Sequence, residues 1–137
     1  SAWINDSNAT WKIVYGHHPY QSNGPHGNAG KYDGISAIDI ISGTHIKKFA
    51  DTVWCGKVDV YFSGHDHSRQ WLQSTCAGTQ LVVSGAGAKT TTLPGNNPSL
   101  FQMSTTGFLY VVIKGRELNA DFINAKGAIE YHHTIKK

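Results

Sequence analysis

Apolar and polar positions alternate along most of the chain, which predicts strands over more of its length than helices. Trp11-Lys12-Ile13-Val14-Tyr15 is a short β-branched and aromatic run stopped by Gly16, the pattern of a buried strand. Val58, Val60 and Phe62 repeat the pattern, and Gly64 ends it. Segments 70–74 and 80–84 read as strands, and 107–113, 117–123 and 128–134 as a meander turning at Lys114-Gly115 and Ala125-Lys126-Gly127. One stretch has the other period. Ile46, Phe49, Ala50 and Val53 recur at helical spacing, with Lys47, Lys48 and Asp51 outside and Thr44 as the cap after Gly43. Residues 1–10 are polar and peripheral. Glycine and proline break regular structure across 19–34, and residues 90–99 are irregular.

A strand, a helix and a second strand in succession suggest a βαβ crossover, whose ligand groups lie at the carboxyl ends of the strands. The predicted class is therefore α/β (α+β). A strand-helix-strand unit over 11–68 is followed by a mostly β part over 69–137, within one domain.

Both strand ends deliver histidines. His17 and His18 follow Gly16, while His65 and His67 follow Gly64. In an extended segment residues i and i+2 point the same way, so His65 and His67 are expected to face one side and Asp66 the other. Gly64 would let the backbone turn there. Imidazole suits zinc, iron, copper and nickel, and three imidazoles at two strand ends suggest a hydrolytic metal centre. The alternative is a polar loop that carries two histidines. His26, within Gly24-Pro25-His26-Gly27, reads on spacing alone as an exposed loop histidine. His45 reads as a helix-terminus residue, and His132 and His133 as surface strand residues. A pair of metals about 3.5–4 Å apart clamps the attacking and leaving oxygens of a displacement, but it needs bridging oxygen ligands. Within the motifs only Asp66 is a carboxylate. Either one metal is bound, or other polypeptide supplies the remaining ligands.

Composition narrows the classes. In 137 residues only 15% are charged and the net charge is +3. No Lys/Arg run exceeds a pair, so no nucleic-acid patch is expected, and no apolar stretch is long enough for a membrane span. The only methionine is Met103, which fits a processed or trimmed polypeptide, although removal of an initiator before Ser1 would look the same. Cys55 and Cys76 are either a disulfide or two buried thiols. A disulfide would close a loop of roughly 22 residues, worth about 3 kcal/mol, and would imply an oxidising compartment: secreted, periplasmic or lysosome-like.

Val14-Tyr15-Gly16-His17-His18-Pro19 and Ser63-Gly64-His65-Asp66-His67 resemble the last two signature motifs, VxxH and GHxH, of the calcineurin-like metallophosphoesterases. More narrowly they resemble the purple acid phosphatase and tartrate-resistant acid phosphatase branch. The helix between the motifs and the Ser84-Gly85-Ala86-Gly87 turn before the meander agree. The resemblance runs from Trp11 to Ile135, the C-terminal half of such an enzyme. It implies a β-sandwich flanked by helices and a binuclear acid phosphatase that hydrolyses phosphate monoesters by attack of metal-bound hydroxide. His17 and His65 would then bind the divalent ion (zinc, manganese or iron), and His67 the iron-type ion. His26 would be the loop histidine that contacts substrate or assists the leaving group. His18 falls at a variable position and Asp66 is structural. The family's N-terminal motifs, with the first Asp, the GDxxY segment and the GNH segment, are absent. The resemblance therefore implies a chain inactive without its N-terminal half, or one that self-associates. A non-catalytic metal- or partner-binding module is the alternative. A cupin reading of His65-x-His67 fails because Gln70-Trp71 stand where a Glu is needed.

Overall fold

The computed structural model describes residues 2–137. Its elements in chain order are α1 (Ala2–Asp6), β1 (Ile13–Gly16), a 3-10 turn (Tyr32–Gly34), α2 (Asp39–Ser42), α3 (Thr44–Val53), β2 (Val60–Ser63), β3 (Arg69–Cys76), β4 (Thr79–Ser84), β5 (Ser99–Met103), β6 (Gly107–Lys114), β7 (Glu117–Asn124) and β8 (Ile129–Lys136). β1 and β2 are parallel, as a crossover through α3 requires, and β2 is also parallel to β4. β3 runs antiparallel to β4 and β5, giving the order β1-β2-β4-β3-β5, while β6, β7 and β8 form a separate meander.

The alternation of side chains explains the layering. On β2 and β4, Val60 and Val82 face one way and Tyr61, Leu81 and Val83 the other. Tyr61, Leu72, Leu81 and Val83 pack with Ala50 and Trp54 of the α3 layer. Val60, Trp71 and Val82 pack against Leu118, Ala120 and Phe122, the inward face of β7. The result is a layer containing α3 on one face of the five-stranded sheet and a three-stranded sheet on the other. Each fully buried large apolar side chain contributes about 1.5–3 kcal/mol of transfer free energy. Arg69 crosses the sheet-sheet boundary with no side-chain exposure. Its Nη2 donates to Glu130 Oε2 at 2.5 Å, and its Nε donates to the Thr105 carbonyl at 3.0 Å.

Several details depart from the sequence reading. The polar start forms α1, whose Ile4 packs against the α3-side core. β5 lies inside a region without a predicted strand. Only half of the α3 stripe is covered: Ala50 is buried, while Phe49 is 59% exposed and Ile46 also faces outward. The N-cap is Gly43, with no side-chain bond, and Thr44 is the first helical residue. His133 is not a free surface residue, because its ring lies 4.4 Å from that of the buried Trp71.

Cys55 and Cys76 are joined as a disulfide with a Cα–Cα distance of 5.2 Å. They do not meet as facing strand residues, since β4 stands between β2 and β3. Cys55 instead lies in the turn after α3, where the Gly56 N–H donates to the Cys76 carbonyl at 3.1 Å. Double replacement by serine is expected to remove about 3 kcal/mol and lower the melting temperature by roughly 10 °C. Calorimetry of wild type with and without reductant should reproduce that difference.

Burial, and secondarily His132, lowers the pKa of His133. The folded state therefore favours the neutral ring. Its contribution is complete above the unfolded value of about 6.5 and is lost as pH falls through the lower folded value. His133→Phe should flatten the loss of stability as pH falls below about 6.5 in urea titrations; an unchanged slope would show that another group dominates.

Candidate metal centre

The parallel register of β1 and β2 builds the site. Gly16 pairs with Ser63, so both chains leave the sheet at the same height, and the Gly64 N–H donates to the His17 carbonyl at 3.1 Å. Gly16 is required for a spatial reason: a Cβ there would stand 2.6 Å from Tyr61 Oη. Tyr61 uses that gap to donate its hydroxyl to the His18 carbonyl at 2.7 Å, and burial pushes its pKa up to about 12. The turn carrying His17 and His18 is thereby held from below.

His17 Nε2 and His65 Nδ1 approach to 2.9 Å. Two imidazole nitrogens bound tetrahedrally to one zinc at about 2.0–2.1 Å stand roughly 3.3–3.4 Å apart, so this ring-to-ring hydrogen bond needs to open by only about half an ångström to share a cation. The His18 ring lies 4.9 Å from that of His17 and 4.5 Å from that of His65. The ligand nitrogens of all three fall within 4.8 Å of one another. Burial lowers the His65 pKa, helped by His26, His18 and His17 and opposed by Asp66. Burial, then His17 and His26, lowers that of His18. Both shifts favour the neutral ring, which is the ligand form.

His26 arrives from the 19–34 loop, with its ring 3.9 Å from that of His65. Its Nδ1 lies 2.9 Å from Asp33 Oδ1. Together with His18, His45, His65, Tyr32 and three isoleucines it lines a cavity of about 440 Å³. The loop is fixed by buried polar groups. The Asn23 N–H donates to Gln70 Oε1 at 2.8 Å, Asn97 donates its N–H to Asn23 Oδ1 at 2.7 Å, and Gln70 Nε2 donates to Ser22 Oγ at 2.9 Å.

The expectation of an extended Gly-His-Asp-His segment is corrected. Residues 65–68 bend, and the left-handed conformation sits at His65 (φ 62°) rather than at Gly64. The rule that i and i+2 share a face therefore does not apply. His67 lies outside the group formed by His17, His18 and His65, and its carbonyl accepts the Thr91 N–H at 2.9 Å. Asp66 turns inward and is fully buried. Its Oδ1 accepts the His26 N–H at 3.2 Å, and a Cβ at Gly24 would come within 2.3 Å of its Cγ. Sequence reasoning missed His18 as a cluster member. The available signal was its place beside His17 in a turn, where strand alternation no longer separates neighbours.

Three imidazoles fit one zinc, iron, copper or nickel ion. Among the described residues no carboxylate joins that group, so the donors for a second ion are not gathered there.

No family model matches the chain. It is 30% identical to purple acid phosphatase 4 of Arabidopsis thaliana over 130 residues, which is 90% of this chain and 34% of that protein. It is 28% identical to purple acid phosphatase 3 of the same plant, over 94% of this chain and 33% of that protein. Against tartrate-resistant acid phosphatase type 5 of Sus scrofa the identity is 31%, over 92% and 37% respectively. The chain thus spans about a third of the length of these relatives. Among solved structures, GAP50, described as the anchor in the inner membrane complex of Plasmodium, superposes with a TM-score of 0.73 at 21% identity, over 97% of this chain and 38% of that one. That likeness speaks for the fold. Histidines stand at two parallel strand ends, and over nearly its whole length the chain is similar to purple acid phosphatases and to tartrate-resistant acid phosphatase.

Proposed function

We propose that the chain is the C-terminal part of the catalytic domain of a metal-dependent acid phosphatase acting on phosphate monoesters. In this reading His17 and His65 hold a divalent cation, His18 completes their cluster, His67 serves an iron-type second ion, and His26 faces the ester or its leaving group. The observation that carries the reading is the 2.9 Å approach of His17 and His65 from separate strand ends. A cation there would neutralise phosphate charge and lower the pKa of coordinated water. The chain's own part is positional. The cavity receives the ester beside His18, His26 and His65, and the buried bonds of Asn23, Gln70 and Asp66 hold His26 over it.

The remaining oxygen ligands, in this proposal, come from polypeptide that docks along the free edge of β1: the N-terminal half of the domain, or a second copy. Among the described residues β1 pairs only with β2. Tyr15 at its end is 85% exposed and lines a groove with His17, Ile46 and Phe49. An open strand edge beside a contiguous apolar patch is a surface suited to being covered. The disulfide fits a secreted, periplasmic or lysosome-like compartment, and no described helix is long and apolar enough to cross a membrane. The imidazole-only donor set favours one competitor, a cation-binding module without catalysis.

Isothermal titration of the metal-stripped chain with zinc or manganese is expected to show one bound ion. His17→Ala and His65→Ala should each weaken it by at least about a hundredfold, beyond the ~10–100-fold typical of an outer-shell partner. Unaltered binding in both variants would remove the assignment. With p-nitrophenyl phosphate, the chain alone should be inert and should turn over once the N-terminal half is added. Robust turnover by the chain alone, lost in His67→Ala, would show that it needs no partner. A completed, metal-loaded site that stays inert would favour the non-catalytic module.

A further inference from the structure

The 26–33 segment closes on itself at both ends. The Asp33 N–H donates to the His26 carbonyl at 3.0 Å, while the Asp33 carboxylate lies 2.9 Å from His26 Nδ1. Asp33 reaches back because its backbone is left-handed (φ 54°, ψ 25°), a conformation that Asp tolerates better than most residues. Tyr32 anchors the return: it is buried and donates its hydroxyl to the Pro19 carbonyl, and its ring stacks on His18 at 5.9 Å. The other end is pinned by Asp66, which accepts the His26 N–H. The main chain of His26 is thus fixed from beneath, leaving its imidazole one further freedom, rotation and choice of tautomer.

We propose that Asp33 is the positioning residue that removes this freedom, accepting the Nδ1–H of His26 so that Nε2 is the nitrogen left for the cavity. The side chains of His26 and Asp33 are 36% and 52% exposed, and a pair so open to water adds little stability. Its effect lies in orientation. A carboxylate bonded to one ring nitrogen decides which nitrogen carries the proton in the neutral ring. The functional weight of this arrangement rests on the phosphatase reading, in which His26 meets the ester, but the arrangement itself does not.

The test therefore uses the metal-free chain. Long-range proton–nitrogen NMR at pH 8, with His26→Gln identifying the resonances, reports which nitrogen of His26 is protonated. Wild type is expected to show protonated Nδ1 and bare Nε2. Asp33→Asn keeps a carbonyl acceptor and tolerates the left-handed backbone, so it should preserve that pattern. Asp33→Gly accepts the backbone more readily still but has no acceptor, and the pattern should become a mixture of tautomers. A melting temperature for the glycine variant within a few degrees of wild type would exclude unfolding as the cause; if that variant does not fold, the asparagine variant and wild type still decide. Protonated Nε2 in wild type, or identical spectra in the glycine variant, would overturn the proposal. Failure of zinc to bind the same sample would count against the phosphatase reading alone. Zinc binding with tautomers indifferent to Asp33 would count against this inference alone.

Discussion

The parallel pairing of β1 with β2 is the constraint on which the rest of the structure depends. Because Gly16 and Ser63 are register partners, the residues after them emerge side by side, and histidines separated by 48 positions come within 2.9 Å. An antiparallel pair would send those two turns to opposite ends of the sheet. The crossover through α3 makes the parallel arrangement possible, and Ala50 and Trp54 of that layer seal the sheet face beneath the turns. The aliphatic core, not the imidazoles, sets the geometry.

Above this platform the chain uses polar burial instead of apolar burial. Ser22, Asn23, Ser68, Gln70 and Asp66 are all buried, and amide and hydroxyl groups from four segments satisfy one another there. Such a network is strongly directional. A slip of one residue would strand several buried donors at about 1–3 kcal/mol each, so the 19–34 loop has one arrangement despite its glycines. The close fit of Gly24 against Asp66 shows the same intolerance. A loop that composition marks only as irregular is anchored at Ser22 and Asn23 by buried hydrogen bonds.

How much of this was legible follows from the range of each interaction. β2, β4, β6, β7 and β8 repeat an alternation with period two, a local property, and were readable directly. β5 has five residues, Ser99–Met103, at a sheet edge with a register shift against β3, too short and too irregular for periodicity to register. The α3 stripe was read as wholly inward, yet Phe49 and Ile46 face outward, because helical spacing fixes which residues share a face but not what covers it. The two histidine turns were located correctly, but the residue order within them misled. Left-handed backbone at His65 depends on the tertiary bond between Gly64 and His17 as well as on local preference. No spacing rule contains that bond, and with it went the expectation that His67 faces the same side as His65 and the chance to include His18. The bond from Asp33 to His26 depends likewise on a left-handed residue that composition does not mark.

Charge accounting links the exposed edge to the all-imidazole donor set. The gathered ligands are three imidazoles, two of them held toward neutrality by burial and by one another. Neutral donors can hold one divalent cation, but they cannot offset the charge of two ions a few ångströms apart, whose repulsion must be met by carboxylates. Among nearby acidic groups, Asp33 bonds the His26 side chain and Asp66 gives one oxygen to the His26 main chain, while the other Asp66 oxygen is buried without a hydrogen-bond partner. In the two-ion reading proposed above, negative charge for the second ion would arrive on another segment, approaching from a side the sheet leaves open. The open side is the edge of β1, where Tyr15 and Phe49 stand exposed beside the histidines. The apolar patch and the carboxylate-free imidazole group thus lie on the same side of the sheet.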